Sequence, residues 1–150
     1  MEETPFRPTI SGVITIFEEA ETLFAQGNEA LVDALSQQLT ARDKLSSVGR
    51  DLTTREAELA VSGKITGNVT GKNAEERKAA FTVLVSKDSE YQRLLKEQRR
   101  WQDVHDKATL DIERAKARMA AGRARSSMCI QLLGVMAGSS AQREAAPAAS

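Results

Sequence analysis

The chain holds one cysteine, one histidine, one tryptophan and one tyrosine among 150 residues, and that scarcity decides much of what it cannot do. A lone Cys129 excludes an intrachain disulfide and suits a reducing compartment. His105 has no second histidine or cysteine to share a metal with, so no metal and no cofactor are expected. No Ser/His/Asp or Cys/His arrangement assembles from these residues, so no catalytic residue is assigned and an enzyme is not expected. Aromatic residues make up only 4% of the chain, too few for a thick globular core. No run of about eighteen apolar residues occurs, so neither a membrane span nor a membrane partner is predicted. The stretch from Met1 to Pro8 lacks a basic start followed by an apolar segment, so no signal peptide is read and a cytoplasmic setting is expected. A phosphate-binding loop fails on two counts. Thr66 stands where the first glycine before Gly71-Lys72 would be needed, and Asn73 stands where a serine or threonine should follow.

What the chain does have is periodicity. Every seventh residue from Ile10 gives Phe17, Phe24, Leu31, Gln38, Leu45, Leu52 and Leu59, a large apolar row broken only by Gln38. Three residues on runs a second row, Val13, Ala20, Gly27, Ala34, Ala41, Val48 and Arg55, which is mostly small. Two sustained rows of this kind predict a coiled-coil helix over 11–62, roughly 75–80 Å long at about 1.5 Å per residue, that needs a partner. Pro5 and Pro8 set off residues 1–10 as a loose leader, and Thr9 or Ser11 is the candidate cap. Glu18, Glu19 and Glu21 lie early in the helix and suit its positive end. Gly27-Asn28 and the Ser46-Ser47-Gly49 stretch are its weak points. The large row nevertheless passes from Phe24 to Leu31 in phase, which argues for a continuous helix with at most a mild bend.

Three glycines at intervals of four, Gly63, Gly67 and Gly71, end this pattern. Ile65 and Val69 flank Gly67-Asn68 symmetrically, so residues 63–73 read as a loop or a small β-hairpin at a tip. Asn73 and Glu76 form a capping-box signature for a further helix with Ala80, Phe81, Leu84 and Val85 on one face. Asp88 is a fresh N-cap. Beyond it the rows return: Leu84, Tyr91, Gln98, His105, Ile112, Met119, Ser126 and Leu133, beside Leu94, Trp101, Ala108, Ala115, Gly122, Cys129 and Met136. Gly138-Ser139-Ser140 is expected to end the helix, leaving 138–150 as a disordered tail.

The fold predicted is therefore all-α: an elongated antiparallel helical hairpin over 11–137, coiled-coil-like, with the tip at 63–73. Setting the small rows face to face places Gly27 opposite Gly122, Ala34 opposite Ala115, Ala41 opposite Ala108, Val48 against Trp101 and Val13 against Met136. Such a hairpin leaves Phe17, Phe24, Leu31, Leu45, Leu52, Ile112 and Leu133 as candidate interface residues. Burying one such side chain is worth about 1.5–3 kcal/mol. A homo-oligomeric bundle or a protein partner is expected to cover them.

The formal net charge of zero conceals a split. Residues 1–62 carry eleven acids and five bases, whereas residues 63–150 carry ten acids and sixteen bases. Mutual pairing of the two arms accounts for this, with an exposed basic surface as the alternative. Acids and bases interleave at helical spacing through most of the second arm. From Arg114 to Arg125 there are five bases and no acid: Arg114, Lys116, Arg118, Arg123 and Arg125. These, with Lys64 and Lys72 at the tip, are the candidate residues for binding single-stranded DNA.

The run Gly71-Lys72-Asn73-Ala74-Glu75-Glu76-Arg77-Lys78-Ala79, followed by Asp88, Glu90-Tyr91-Gln92 and a long charged helix, resembles a pattern in small phage and prophage helical-hairpin proteins encoded beside replication and recombination genes. The resemblance covers residues 55–120 and leaves 1–54 outside it. It implies a non-enzymatic accessory or scaffold role around single-stranded DNA or recombinases, in a bacterial host cell, with a replication, recombination or host protein as partner. Two other functions compete with it. One is direct binding of single-stranded nucleic acid by the basic helix; the other is inhibition of a host nuclease or defence enzyme by the tip loop or the acidic first arm.

Overall fold

The computed structural model describes residues 9–65, 67 and 69–144. Among them lie three helices and no strand: α1 (Ile10–Ile65), α2 (Ala74–Lys87) and α3 (Ser89–Glu144). The all-α class is as the periodicity predicts. Residues 1–33 with 111–150 form one compact unit, and residues 34–110 form a second. The helices α1 and α3 contribute to both.

In the first unit, α1 starts at a threonine cap: the Gly12 N–H donates to Thr9 Oγ1 at 3.1 Å, and the Val13 N–H to the Thr9 carbonyl at 3.0 Å. No acidic residue lies in the first turn, so Glu18, Glu19 and Glu21 sit too far along to complement a dipole whose effect fades within that turn. The small row is the buried one. Val13, Ala20 and Gly27 on α1 and Ala115, Gly122 and Cys129 on α3 are all closed to solvent. The Cys129 thiol donates to the Val13 carbonyl at 3.6 Å. Gly122 lies against Ala20 and Phe24, and Gly27 lies against Ala115 and Met119. Numbers rise along α1 as they fall along α3, so the two segments run antiparallel. A Cβ added at Gly122 would stand 2.8 Å from the Ala20 carbonyl oxygen, and one at Gly27 would stand 3.0 Å from that of Ala115. Here the helix backbones come into close contact, with the Met119 side chain also lying against Gly27.

These contacts correct the expected register. Gly27 does not face Gly122, nor Val13 Met136; each glycine fits between one small-row and one large-row residue of the opposing helix, Gly122 between Ala20 and Phe24 and Gly27 between Ala115 and Met119. Two glycines placed face to face would leave a void, whereas an offset of about half a repeat sets each one against opposing backbone and keeps the interior filled.

In the second unit the buried positions of α1 shift sideways. After Ala41 and Val48 they move to Leu52, Leu59 and Gly63, while α3 supplies Leu94 and Ala108. Val48, Leu52 and Leu94 form a cluster with half-buried Tyr91, Leu95 and Trp101 packed against it. The shift coincides with a third helix. Leu84 of α2 comes to Gly63, where an added Cβ would lie 2.9 Å from its Cδ2. Larger side chains fill the wider space between three helices.

The tip forms no strand among its described residues; Thr66 and Asn68 lie outside them. α1 runs on to Ile65, Gly67 takes a left-handed conformation (φ 71°), and the Val69 N–H returns to the Gly63 carbonyl at 3.0 Å. Val69 thereby packs on Gly63 instead of pairing across from Ile65. The cap of α2 is as read, with the Glu76 N–H donating to Asn73 Oδ1 at 2.9 Å. The returning bond goes one residue earlier than a capping box requires, from the Lys72 N–H to Glu76 Oε2 at 2.7 Å. Ala80, Phe81, Leu84 and Val85 share the half-buried face while Val83 stays exposed. At the other end, α3 continues through Gly138, Ser139 and Ser140 to Glu144, past the expected stop at 137. The leader over 1–8 and the tail over 145–150 lie outside the described residues.

Candidate functional site

A helix seam lined with alanine and glycine brings backbones together and pushes larger side chains to its margins. In the first unit Phe17 and Phe24 fall three residues before and four after Ala20, so both flank the seam on one side. Met119, Ser126 and Leu133 hold the same place relative to Ala115, Gly122 and Cys129. Phe17 remains 42% exposed, Phe24 40% and Leu133 48%. Between the two ridges runs an open groove lined by Phe17, Ala20, Phe24, Gly122 and Ser126, with Glu21 and Arg123 on its rim. The Arg123 guanidinium lies 5.8 Å from the centre of the Phe24 ring.

Not all the candidate interface residues share this margin. Leu52 and Ile112 are buried, each 7% exposed, and belong to the cores of their units. This corrects their expected place on an interface: Ile112 lies beside the close-packed small seam, and Leu52 packs with Val48 and Leu94 among the helices of the second unit. Leu31 and Leu45 are half-buried. Of the seven, the groove of the first unit thus keeps Phe17 and Phe24, while Leu133 is exposed farther along α3.

The five bases from Arg114 to Arg125 are all exposed but do not form one track. Arg114, Arg118 and Arg125, at steps of four and seven, share one side of α3; Lys116 and Arg123, seven apart, share another. Acids from outside the run engage three of them. Arg114 pairs with Asp111 at 3.1 Å and Lys116 with Glu113 at 2.8 Å on the same helix, and Arg125 reaches Glu19 of α1 at 2.9 Å. Arg118 makes no ion pair with a described residue. Exposed pairs of this kind are worth about 1 kcal/mol or less, so the charges stay available to an outside partner. Lys64, in the last turn of α1, and Lys72, before α2, are exposed residues of the second unit.

Pairing of the arms explains little of the charge split. Among the described residues only two ion pairs join separate helices or their caps. One is Glu19–Arg125; the other, Arg55–Asp88, takes its base from the acidic half and its acid from the basic half.

Arg55 belongs to a cluster that sequence reasoning missed. One edge of its guanidinium grips both oxygens of the Asp88 carboxylate, Nε to Oδ1 at 3.1 Å and Nη2 to Oδ2 at 2.7 Å, and Nη1 reaches Glu58 at 2.9 Å. Asp88 Oδ1 also accepts from the Tyr91 N–H at 2.7 Å, which makes it the N-cap of α3. The Tyr91 hydroxyl donates to Glu56 Oε1 at 2.6 Å. The guanidinium holds the Asp88 carboxyl below its ordinary range, aided by the Tyr91 N–H, and the hydrogen bond to Glu56 pushes the Tyr91 phenol up. A signal was present: Arg55 is the one charged residue in a row of small ones. The geometry is that of a latch between α1 and the α2–α3 corner.

No group of three or more His, Cys, Asp or Glu side chains able to hold a metal occurs among the described residues. The His105 ring lies 3.3 Å from Asp106 on its own helix, and Cys129 is packed in the seam. No described helix is long and apolar enough to cross a membrane. No family model, no curated protein and no solved structure matches the chain.

Proposed function

We propose that this protein is a non-enzymatic scaffold that works by holding another helix along its own, and that its antiparallel helix pairs are sections of a coiled-coil-like hairpin. The observation that carries this reading is the margin of Phe17, Phe24 and Leu133, large apolar side chains left 40–48% exposed beside a closed seam. Apolar area arranged at heptad spacing on paired helices is what a further helix packs against. The resemblance of residues 55–120 to phage helical-hairpin proteins supports placing this scaffold as an accessory of DNA recombination or replication. Inhibition of a host nuclease would use the same margin or the tip.

Affinity capture with wild-type protein and a Phe17→Ser/Phe24→Ser variant tests the reading. Loss of the captured protein in the variant, with helix content unchanged by circular dichroism, supports it. Equal capture by both would overturn it. Direct nucleic-acid binding is less well served by bases split between two sides of α3. An anisotropy titration with single-stranded DNA at two salt concentrations decides that alternative, because neutralising several phosphates produces a steep salt dependence.

A further inference from the structure

The groove beside Phe17 and Phe24 has a rim of two signs, and the signs are distributed helix by helix. The described α1 residues of the first unit carry five acids, Glu18, Glu19, Glu21, Glu29 and Asp33, and no base. The α3 residues over 111–139 carry the five bases from Arg114 to Arg125 against Asp111 and Glu113. Of these, Glu21 and Arg123 stand on the rim of this groove, whereas Glu18, Glu19 and Arg125 line a separate one. A rim with an acid on one helix, a base on the other and an apolar floor between them is complementary to itself.

Resting on the scaffold reading above, we infer that the partner seated on this groove is a second copy of the same chain, related by a two-fold axis parallel to the helices. Two face-to-face arrangements of a helix pair satisfy two-fold symmetry. With the axis across the helices, α1 lies on the partner's α1, acid against acid. With the axis along the helices, α1 lies on the partner's α3, acid against base, and every neighbouring helix runs antiparallel. Charge selects the second.

That choice sets a register without further assumption. A rotation about an axis along the helices leaves every residue at its own level. Gly122 rests between Ala20 and Phe24, so Arg123, the next residue, is level with Glu21. Both stand on the rim of the groove. Glu21 of each copy therefore meets the other copy's Arg123, twice per dimer, while Phe17 and Phe24 of the two copies fill the floor between them.

The test is charge reversal read by sedimentation equilibrium of the full chain, with circular dichroism to confirm the fold. Wild type is expected to be a dimer. Glu21→Arg alone and Arg123→Glu alone should each weaken dimerisation by about 10-fold or more, since like charges then face each other twice. The double reversal should restore it. A wild-type monomer, or a dimer indifferent to either single reversal, overturns the inference. A photo-crosslinking amino acid at Ala25, on the exposed groove edge, separates this outcome from failure of the scaffold reading. A crosslink to a second copy supports the inference. Capture of a different protein by a monomeric chain overturns self-pairing and leaves the scaffold reading standing; a monomer with no crosslink removes both.

Discussion

Arg55 on α1 and Asp88 at the head of α3 form a bidentate ion pair, 3.1 and 2.7 Å, in which the carboxylate is also the N-cap of α3. One residue thus ends α2 through its backbone N–H, which donates to the Val85 carbonyl at 3.2 Å, and through its side chain starts α3 and ties the corner to α1.

The pH dependence of this latch has a definite sign. Asp88 titrates lower in the folded chain than an ordinary carboxyl at about 3.9. Its contribution is therefore present above that value and lost as pH falls through the depressed folded value. Asp88→Asn, which keeps a capping oxygen but loses the charge, should melt below wild type at neutral pH. The gap should close as pH drops below about 4. Asp88→Ala should melt lower still, because the cap goes too. Thermal melts by circular dichroism across that pH range check all three statements.

Two glycine-to-alanine changes should shift stability in opposite directions. At Gly122 the new Cβ would meet the Ala20 carbonyl at 2.8 Å and the Phe24 nitrogen at 3.1 Å, and backbone atoms cannot step aside. Gly122→Ala is expected to cost about 1–3 kcal/mol of overpacking, exceeding the helix gain. At Gly49 an added Cβ meets nothing within 4 Å. Gly49→Ala should then stabilise by up to about 1 kcal/mol through helix propensity alone. Urea titrations of the two variants supply the comparison.

Tyr91 is the only tyrosine, so its ionisation can be followed by absorbance without interference from another. Its hydrogen bond to Glu56 places the folded midpoint above the ordinary value of about 10. Stability from this contact is complete below that ordinary value and is lost as pH rises through the folded one. Glu56→Gln should lower the midpoint of the folded protein. A midpoint unchanged by that substitution would show that the contact does not form in solution.

Cys129, at 1% exposure with its thiol on the Val13 carbonyl, should resist thiol reagents in native buffer. Labelling should then proceed only as the first unit opens, so its rate reports the local opening free energy. Gly122→Ala, seven residues away along the same seam, should accelerate it at least about 5-fold if 1 kcal/mol or more is lost.

Much of the architecture was readable from spacing alone. The seam residues from Val13 to Val48 and from Trp101 to Cys129 were identifiable as two rows because seven residues return a helix to the same face. Asn73 and Asp88 were identifiable as caps because a side-chain oxygen ahead of a helix satisfies a free N–H, and the first cap was narrowed to Thr9 or Ser11, of which the fold uses Thr9. The continuity of α1 through Gly27 followed from the unbroken phase of the large row. Of the candidate groove, Phe17 and Phe24 were legible as large residues on one margin.

The register, the latch and the rim were not. Which small residue nests against which depends on how two surfaces fill space together, and a row of near-identical alanines and glycines fits several offsets equally well on paper. Arg125 looked unopposed because Glu19 is distant in the chain and near only in the fold. Ile112 went inside beside the close-packed small seam of the first unit, and Leu52 because it packs with Val48 and Leu94 in the wider space that the third helix opens in the second. The sequence by itself determined that the chain is helical, where its helices are capped and which face of each is small. Only the tertiary structure decided the offset between those faces, and with it which acid stands level with which base, because that offset is set by contact between backbones that no linear pattern records.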